Sequence, residues 1–418
     1  MNEQQYTVVI VCGGAAGISV AANLRRKNQA ISIAIVESSD LHYYQPAFTL
    51  VGGGEFRFGD TVRAEASLIP KDVSWVHDAV TGFDPDGNAV SLRSGARLRY
   101  EYLVVCPGIQ LDWGKVEGLS ETLGRNGVCS NYSPQHVTYT WECIRGFSGG
   151  TALFTQPPVP IKCAGAPQKI AYLAADRWRG RGILTKADMH FHVAGAVMFS
   201  VPLFAAELQK IAAGYGIGVH FNSNLVAVDG AARTATFENS AADGSKARET
   251  RSFDLIHVTP PQSAPDFVKQ SPLANAAGWV EVNDNTCQHV RYPNIFSLGD
   301  ASSLPTSKTA AAVRKQVPTV TRNILALLGR QELQPAYDGY TSCPLTTSLH
   351  TVLLAEFAYA GKVTPTFPLD PRRPRQLWWW VKKYGLPQMY WNYMLKGIDW
   401  DIPHRAEYMQ RFLGETPK

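Results

Sequence analysis

The sequence lacks the features of a secreted or membrane-spanning protein. Its seven cysteines are scattered through 418 residues without a short repeated spacing. This excludes a secreted disulfide scaffold and a paired Cys-x-x-Cys zinc site, so we expect no bound metal. No segment approaches the roughly 18 uncharged apolar residues that span a bilayer. The longest, from Val193 to Ala206, contains glycine, serine and proline and is followed by Glu207, so we expect no transmembrane helix.

The beginning of the sequence also lacks a targeting signal. The first ten residues, MNEQQYTVVI, contain no basic leader and no apolar signal core, which predicts no signal peptide and a cytoplasmic start. Lysine and arginine (40) exceed aspartate and glutamate (35) by only five. This small excess does not indicate a nucleic-acid partner, but it would suit an anionic membrane surface. The length predicts two or three domains, each with its own core.

The N-terminal segment follows the order strand, glycine-rich turn, helix, strand, acid. A β-branched run at Thr7–Val11 precedes the turn, and the second strand ends at Glu37. Such a turn lets a pyrophosphate approach the N–H groups at a helix N-terminus, while the acid accepts ribose hydroxyls. Cys12 stands where the fingerprint G-x-G-x-x-G has its first glycine, and the motif alone would also fit any strand-to-helix turn. The expected dinucleotide-binding residues are Gly14, Ala16, Gly17 and Glu37.

Two distant segments support the same fold. Residues 102–108 (YLVVCPG) form an apolar strand that breaks at a turn of small residues, and residues 294–300 (NIFSLGD) form another that ends in Gly-Asp. They resemble the second and third signatures of the two-dinucleotide-domain flavoproteins, a family that includes disulfide reductases and type II NADH dehydrogenases. The resemblance implies bound FAD, with Asp300 bonded to its ribityl chain. Gly108 and Gly299 belong to the same implied site.

A helix start follows the last of these segments. In residues 307–312 (SKTAAA), the N-terminal dipole of the helix would stabilise negative charge on a reduced flavin. We therefore expect Lys308 and Thr309 at the flavin, with Lys308 polarising the ring. A solvated lysine at a helix start is the alternative.

The second dinucleotide unit lacks the glycines that NAD requires. Residues 187–194 are a strand candidate and residues 201–213 a helix candidate, and the turn between them reads GAVMFS, with one glycine followed by bulky residues. A pyrophosphate would need bare backbone at this turn. We therefore predict an α/β protein with two Rossmann-like units, of which the second is degenerate and does not bind NAD.

Two of the cysteines lie in unusual surroundings. Cys163 is in a proline-rich loop that leads into a helix at about Gln168, and Cys343 is in another tight loop. A cysteine near a helix start, with Lys162 beside it, should have a depressed pKa and a reactive thiolate. Two unrelated loop cysteines would also fit this pattern. The other five fit structural roles; they are Cys12, Cys106, Cys129, Cys143 and Cys287.

Several segments resemble those of the sulfide:quinone oxidoreductases, in particular the subgroup that includes the mitochondrial enzyme. They include both cysteine loops, and the resemblance extends from the first strand to about Gly397. Residues 42–46 (HYYQP) also fit that family's H-x-Y-Q-P pattern, which implies that Gln45 lies at the cofactor. The matching segments are 159–169 (VPIKCAGAPQK), 257–261 (HVTPP), 305–313 (PTSKTAAAV) and 340–345 (YTSCPL).

The resemblance implies a chemistry for both cysteines. Cys163 and Cys343 would be joined in the resting enzyme, directly or through extra sulfur, and hydrosulfide would attack this bond. We expect the persulfide on Cys163 and the released thiolate on Cys343, which delivers two electrons to FAD. Glutathione, sulfite or a second sulfide would take the sulfane sulfur, and a ubiquinone-type quinone would reoxidise the flavin.

The flavin is expected to bind without a covalent link. Some members of the family carry a third cysteine four residues before a histidine, which here is His136, and Tyr132 stands at that position. The resemblance therefore implies non-covalent FAD. His136 is a candidate proton carrier because histidine titrates near neutral pH. A simple loop histidine is the alternative.

The last fifth of the chain is rich in aromatic and basic residues. Trp378, Trp379 and Trp380 lie between three arginines at 372–375 and the pair Lys382–Lys383. Tryptophan and tyrosine prefer the headgroup region of a bilayer, and flanking basic side chains reach its phosphates. We predict two short amphipathic helices, broken near Gly385 and Pro387, that lie in the membrane interface and admit quinone from the lipid. Tryptophans of an ordinary core are the alternative.

The complete prediction is a peripheral (monotopic) membrane flavoenzyme on the cytoplasmic side of the inner membrane, with homo-oligomers possible. Phe357 and Trp391 are the expected quinone contacts, and core packing explains Phe357 equally well. The rival functions are an NADH dehydrogenase of the same fold and a flavin-bound thiol sensor. The expected domains are an FAD-binding unit (1–113 and 290–335), a degenerate unit that carries Cys163 (114–289) and a C-terminal region with Cys343 (336–418).

Overall fold

The computed structural model describes residues 4–400 and 402–413. They form two parallel α/β units, a small antiparallel sheet and a C-terminal region. The strands are β1 (Gln4–Val11), β2 (Ile33–Val36), β3 (Leu41–Tyr43), β4 (Val62–Ala64), β5 (Ser74–Val76), β6 (Val80–Asp84), β7 (Ala89–Leu92), β8 (Arg97–Val105), β9 (Gln110–Leu111), β10 (Val128–Cys129), β11 (Gly150–Gln156), β12 (Ala187–Val193), β13 (Gly218–Phe221), β14 (Ser223–Asp229), β15 (Thr234–Ser240), β16 (Lys246–Ser252), β17 (Leu255–His257), β18 (Gln262–Ser263), β19 (Ile295–Ser297), β20 (Thr341–Thr346) and β21 (Val352–Phe357). The helices are α1 (Ala15–Lys27), α2 (Phe48–Gly52), α3 (Leu119–Thr122), α4 (Val137–Gly146), α5 (Ala166–Gly180), α6 (Pro202–Gly214), α7 (Asp266–Lys269), α8 (Ala310–Leu328), α9 (Gln376–Trp380), α10 (Leu386–Asn392) and α11 (Glu407–Leu413).

The first unit is the dinucleotide-type sheet that the N-terminal motif predicts. Strands β5, β2, β1 and β8 lie side by side in this order and are parallel, and β19 runs parallel to the end of β8. β7 and β6 extend the sheet from the beginning of β8 as antiparallel strands. Every residue of β2 is buried, as expected for a parallel strand whose two faces are both covered.

The turn between β1 and α1 has the geometry of a phosphate-binding loop despite its cysteine. Cys12 has a φ of 76°, a left-handed conformation that normally favours glycine. Gly14 precedes α1, and a Cβ at this position would meet no atom within 4 Å. A Cβ at Gly17 would collide with the carbonyl oxygen of Cys12, so only glycine lets the helix pack this close. The Glu37 carboxylate accepts the Gly13 N–H at 2.9 Å.

The second unit is a five-stranded parallel sheet in the order β10, β17, β11, β12, β13. The turn after β12 is filled by side chains, because Met198, Phe199 and Val201 are buried there. The bulky residues thus occupy the place where a glycine turn would leave bare backbone, as predicted. The antiparallel strands β14, β15 and β16 form a separate small sheet.

The first unit contains more of the chain than we predicted. β9 pairs with β18, and these two segments are where the chain passes between the units. Beyond β18, buried side chains such as Val268, Leu273 and Val280 belong to the same core cluster as β1 and β8. The second unit therefore ends near Ser263 rather than at residue 289, because the intervening residues bury their apolar groups in the first core.

The C-terminal region contains a hairpin and one helical run. β20 and β21 are antiparallel, with Cys343 opposite Ala355. From Gln376 to Asn392 the chain is helical throughout, since a π-helical turn at Val381–Gly385 joins α9 to α10. The predicted break near Gly385 and Pro387 is wrong. The π turn allows the helix to continue where the N–H missing from proline would interrupt an ordinary α-helix.

The three adjacent tryptophans divide between core and surface. Trp378 and Trp379 are buried, whereas Trp380 is 58% exposed. Its ring stacks on Tyr384, which is also exposed, at a centroid distance of 5.3 Å. No helix within residues 4–400 and 402–413 combines the length and the apolar character needed to cross a bilayer.

The backbone at Cys12 allows a direct test. We expect Cys12→Gly to fold normally and Cys12→Val to lose about 1–3 kcal/mol of unfolding free energy, because a β-branched residue at positive φ is strained. Chemical denaturation of both variants measures the difference. Cys106→Val is the control, since it makes the same side-chain change in the neighbouring strand end. If it loses as much stability as Cys12→Val, side-chain volume rather than backbone conformation is responsible.

Candidate functional site

The fold brings together two cysteines that lie 180 residues apart in the chain. The sulfur atoms of Cys163 and Cys343 are 4.0 Å apart, and both are free thiols. Small side-chain movements would reduce this separation to the bond length of a disulfide, about 2 Å. Cys343 lies within β20 rather than in a loop and is fully buried. Cys163 is half-buried and precedes α5, which begins at Ala166.

The backbone at Cys163 is held in an uncommon conformation. Its φ is 50°, and its N–H donates to the carbonyl oxygen of Lys308 at 2.8 Å. A non-glycine residue in this region costs about 1–3 kcal/mol and persists only where surrounding contacts hold it. Here the segment before α8 provides the contact that holds the cysteine loop.

The cation at the sulfur pair is Lys169, not the adjacent Lys162. The Lys169 ammonium lies 3.1 Å from the Cys163 sulfur. The Lys162 amino group instead donates to Gln45 Oε1 at 2.7 Å, so our attribution of an activated thiolate to Lys162 is wrong. A second lysine, Lys382, lies beside Lys169 and donates to the carbonyl oxygen of Pro344 at 2.8 Å. Both Lys169 and Lys382 are buried.

These contacts give the two thiols opposite acidities. The hydrogen bond with Cys343 and the positive charge of Lys169 outweigh burial and hold the pKa of Cys163 well below its ordinary value. The same hydrogen bond and burial raise the pKa of Cys343. Despite its burial, the pKa of Lys169 is raised by the negative charges on both sulfurs. Cys163 is therefore the more acidic thiol of the reduced pair, and the Lys169 ammonium lies next to it.

The pKa of Lys382 shifts in the opposite direction to that of Lys169. Burial and the neighbouring charge of Lys169 lower the pKa of Lys382 well below its ordinary value. We expected Lys382 and Lys383 to reach lipid phosphates from the membrane interface. That expectation is wrong for this conformation, because Lys382 is buried and Lys383 forms an ion pair with Glu55 at 2.8 Å.

A second group of residues contacts the Cys163 loop through Lys162. The Lys162 amino group lies 5.6 Å from the centre of the Tyr132 ring, and burial lowers the pKa of Lys162 to about 8, although Asp300 opposes the shift. Burial raises the pKa of Asp300, while the charges of Lys308 and Lys162 act in the opposite direction. The structure thus brings the predicted residues Gln45 and Asp300 to the cysteine loop.

Several buried polar atoms around this group have no hydrogen-bond partner among the described residues. They include Gln262 Nε2 and both amide atoms of the Asn131 side chain. Burying such groups unpaired costs about 1–3 kcal/mol each, so they indicate a place for a polar ligand. Open space at Gly14 and unpaired polar atoms near the cysteine loop are features that suit a dinucleotide such as FAD. The residues predicted to hold it stay predictions; they are Gly14, Ala16, Gly17, Glu37, Gln45, Gly108, Gly299, Asp300 and Thr309.

Lys308 and Thr309 occupy the start of α8. Thr309 Oγ1 accepts the Ala312 N–H at 3.0 Å and caps the helix. The Lys308 amino group donates to the carbonyl oxygens of Asp300 and Ser302 at 2.7 and 3.1 Å. Burial lowers the pKa of Lys308 to about 8. Lys308 is therefore not a solvated surface lysine, and its effect on a flavin stays a prediction.

Three predicted residues do not join the sulfur pair. The His136 ring packs against Gly124, just before α4. Phe357 pairs with Thr341 across the hairpin and belongs to the core cluster that contains Cys343. Trp391 belongs to the core of the first unit. The proton-carrier and quinone roles of these residues stay predictions.

The main residue missed from the sequence is Lys169, although a local signal was available. Side chains on a helix point towards its N-terminus, so a lysine in the first turn of α5 reaches back to the loop that contains Cys163. No comparable signal existed for Lys382, which comes from a distant segment.

Comparisons with known proteins agree with this geometry. Residues 6–132 match the family model described as pyridine nucleotide-disulphide oxidoreductase. The chain is 42% identical to the mitochondrial sulfide:quinone oxidoreductase of Mus musculus over 401 residues, which cover 96% of this chain and 88% of the relative. It is 45% identical to the mitochondrial sulfide:quinone oxidoreductase of Dictyostelium discoideum, with 93% and 86% covered.

A solved structure has the same fold. The X-ray structure of the sulfide:quinone oxidoreductase from Aquifex aeolicus superposes with a TM-score of 0.78 at 20% identity, covering 99% of this chain and 96% of that one. It confirms the predicted α/β architecture with Rossmann-type units.

The contact between Lys169 and Cys163 can be tested by thiol acidity. We expect Lys169→Met to raise the pKa of Cys163 by about 1–3 units, because an opposite charge within about 4–6 Å is removed. The pH dependence of Cys163 alkylation by iodoacetamide, followed by mass spectrometry, measures the shift. The control is Lys162→Met, which should move the profile much less. Equal shifts in both variants would contradict the assignment.

Proposed function

Since the chain belongs to the sulfide:quinone oxidoreductase family, we propose that Cys163 and Cys343 form the sulfur pair through which it oxidises sulfide. The chain is a flavin-dependent oxidoreductase that takes electrons from sulfide and gives them to quinone. The observation that carries the proposal is the 4.0 Å separation of two sulfurs beside the buried ammonium of Lys169.

The difference in pKa between the two thiols favours one choice of attacked and leaving sulfur in the first step. Hydrosulfide attacks the bond between the two cysteine sulfurs, and the sulfur of lower pKa leaves more readily. We therefore propose attack at Cys343, which forms its persulfide and releases Cys163 as the thiolate. This reverses our expectation from the resemblance. The physical reason is that Lys169 stabilises the negative charge on Cys163 and not on Cys343.

We propose different roles for the two buried lysines, one in balancing charge and the other in proton transfer. Lys169, kept protonated, balances the anionic sulfur that forms when the bond opens. Burial and the charge of Lys169 depress the pKa of Lys382, so it releases a proton more readily than an ordinary lysine, and we propose that it exchanges protons with the sulfur pair. The acceptor of the sulfane sulfur is proposed to be glutathione, sulfite or a second sulfide.

FAD is proposed to bind without a covalent bond. When bound, it accepts the electron pair from the sulfur site and passes it to quinone. A thioether would require a thiol where Tyr132 lies, and Tyr132 is buried beside the sulfur pair. The nearest cysteine in this segment, Cys129, points its thiol at the carbonyl oxygen of Ile256, 3.5 Å away. Gln45, Asp300 and Thr309 are proposed to hold the flavin and ribityl part.

The quinone is proposed to come from a membrane that the C-terminal helices touch. Leu377, Trp380 and Tyr384 are exposed on one face of the helical run, spaced as successive turns of a helix. Aromatic side chains at such positions favour the headgroup region. We propose a peripheral protein on the cytoplasmic side of the inner membrane, with Phe357 and Trp391 as quinone contacts and His136 as a proton carrier.

The sulfur relay can be tested by anaerobic titration with sulfide while the flavin absorbance is recorded. We expect the wild type to bleach and Cys163→Ser and Cys343→Ser to lose bleaching, because neither can form the bond that hydrosulfide opens. Cys143→Ser, outside the pair, should bleach normally. If either active-site variant bleaches at the wild-type rate, the relay is wrong. Bleaching by NADH in place of sulfide would favour the rival dehydrogenase function.

Membrane binding by the exposed aromatic face has its own test. We expect the double variant Trp380→Ala/Tyr384→Ala to bind anionic phosphatidylglycerol vesicles at least about tenfold more weakly, since each buried aromatic contributes about 1.5–3 kcal/mol. Cosedimentation measures the affinity, and sulfide bleaching confirms an intact sulfur site. The control, Leu41→Ala/Val290→Ala, removes two exposed apolar side chains from the first unit. Equal losses in both double variants would argue against a specific face.

A further inference from the structure

The two buried lysines at the sulfur pair belong to different elements, and both elements contact one carboxylate. Lys169 lies in the first turn of α5, and Lys382 lies in the π turn of the C-terminal helical run. Oε1 of Glu55, which follows α2, accepts from the Arg177 guanidinium of α5 at 2.6 Å. Its Oε2 accepts from the Lys383 ammonium of the π turn at 2.8 Å. Glu55 therefore connects α5 to the helical run.

The backbone around Glu55 is held in place. The Glu55 N–H donates to the carbonyl oxygen of Leu50 at 2.7 Å, which satisfies one of the last carbonyls of α2. Gly54 has a φ of 76°, and a Cβ at this position would lie 2.6 Å from the Trp141 ring. The same ring packs on Arg177, whose guanidinium carbon is 5.2 Å from the ring centre. The carboxylate therefore has little freedom to follow either cation.

The three charged side chains of this network are largely shielded from solvent. Glu55 is 17% exposed, Lys383 20% and Arg177 28%. Charges at such positions are screened less by salt than exposed charges are. Without the carboxylate, the two cations that now share it would repel each other without compensation. One cation belongs to α5 and the other to the helical run, so we expect the two elements to separate at this point.

The contact of Lys383 with Glu55 limits where the preceding residue can lie. Lys382 and Lys383 leave the π turn in different directions. The Lys382 amino group donates to the carbonyl oxygen of Pro344, directly after Cys343, at 2.8 Å. Because the two lysines share one helical turn, a displacement of Lys383 also moves the backbone of Lys382. The amino group would then leave the strand that carries Cys343.

We propose that Glu55 is a positioning residue for the sulfur site. Its carboxylate holds α5 and the C-terminal helical run together, and so keeps the Lys382 amino group on the Pro344 carbonyl oxygen, next to Cys343. Glu55 acts through Lys382 and not by contact with the reacting sulfur. The inference rests on the proposed role of this site in sulfide oxidation, and it adds a residue from a third, distant segment to that role.

Chemical labelling of Lys382 tests its position directly. The full-length flavoenzyme is acetylated with sulfo-N-hydroxysuccinimidyl acetate over a range of pH, and peptide mass spectrometry measures the rate at each lysine. The rate plateau at high pH reports access to the amino group, and the midpoint reports its pKa. Because Lys382 is buried, we expect slow labelling in the wild type. Glu55→Gln should raise the plateau severalfold and move the midpoint upwards by about one unit or more, since burial and a neighbouring cation no longer depress the pKa.

Further variants distinguish the loss of this connection from a general loss of charge or stability. Lys383→Met should label like Glu55→Gln, whereas Lys383→Arg should label like the wild type because it keeps the ion pair. The matched control is Asp60→Asn, which removes a carboxylate from the exposed pair of Arg57 and Asp60 and should change nothing. Labelling of the buried Lys308 should stay at the wild-type level throughout. An equal rise at Lys308 in Glu55→Gln would mean general loosening and would overturn the proposal.

Anaerobic bleaching by sulfide relates this position to function. We expect the rate to fall about tenfold or more in Glu55→Gln and in Lys383→Met, because a small misplacement of an active-site group has effects of this size. The double variant should be no slower than either single variant, since all three lose the same interaction. Unchanged Lys382 labelling or wild-type bleaching in Glu55→Gln would contradict the inference. Labelling needs no sulfide, so failure of the relay, which Cys163→Ser tests, is distinguishable from failure of this proposal.

Discussion

The contact between the Lys169 ammonium and the Cys163 sulfur is the interaction on which the site depends. A buried ammonium and a half-buried thiolate are each unfavourable alone, and each compensates the other when they are in contact. The pair therefore needs a rigid enclosure. The first turn of α5 positions the lysine, the backbone of Lys308 holds the strained cysteine, and β20 supplies the second sulfur. Three separate parts of the chain must be folded before the charge pair is stable.

The C-terminal helical run connects this enclosure to the surface. Its π turn places Lys382 inward beside Lys169, while Trp380 and Tyr384 on the same run face outward. One rigid element thus contributes both to the electrostatics of the sulfur pair and to the apolar surface. Lys382, Trp380 and Tyr384 all precede Gly385, so one short helical stretch carries both sets of side chains.

Features set by residues that are close in sequence could be predicted, whereas contacts between distant segments could not be predicted from local patterns. The first unit and the degenerate turn could be predicted because strand, turn and helix are adjacent in sequence. The pairing of Cys163 with Cys343 came only from family resemblance, since no local pattern relates segments so distant. Lys169 was within reach of helix geometry but was overlooked in favour of the adjacent Lys162. Lys382 was assigned to lipid because amphipathic composition does not reveal which side of a π turn faces the core.

The split architecture of the first unit determines how the chain can fold as it is made. β8 pairs with β1 along most of its length and with β19 at its end, yet about 190 residues are synthesised between β8 and β19. The nascent chain therefore leaves the ribosome with an open edge on its first sheet while the second unit is still being translated. The second unit can collapse on its own parallel sheet during that interval. Closure of the first sheet is then a late, long-range event whose loop-closure entropy makes it slow.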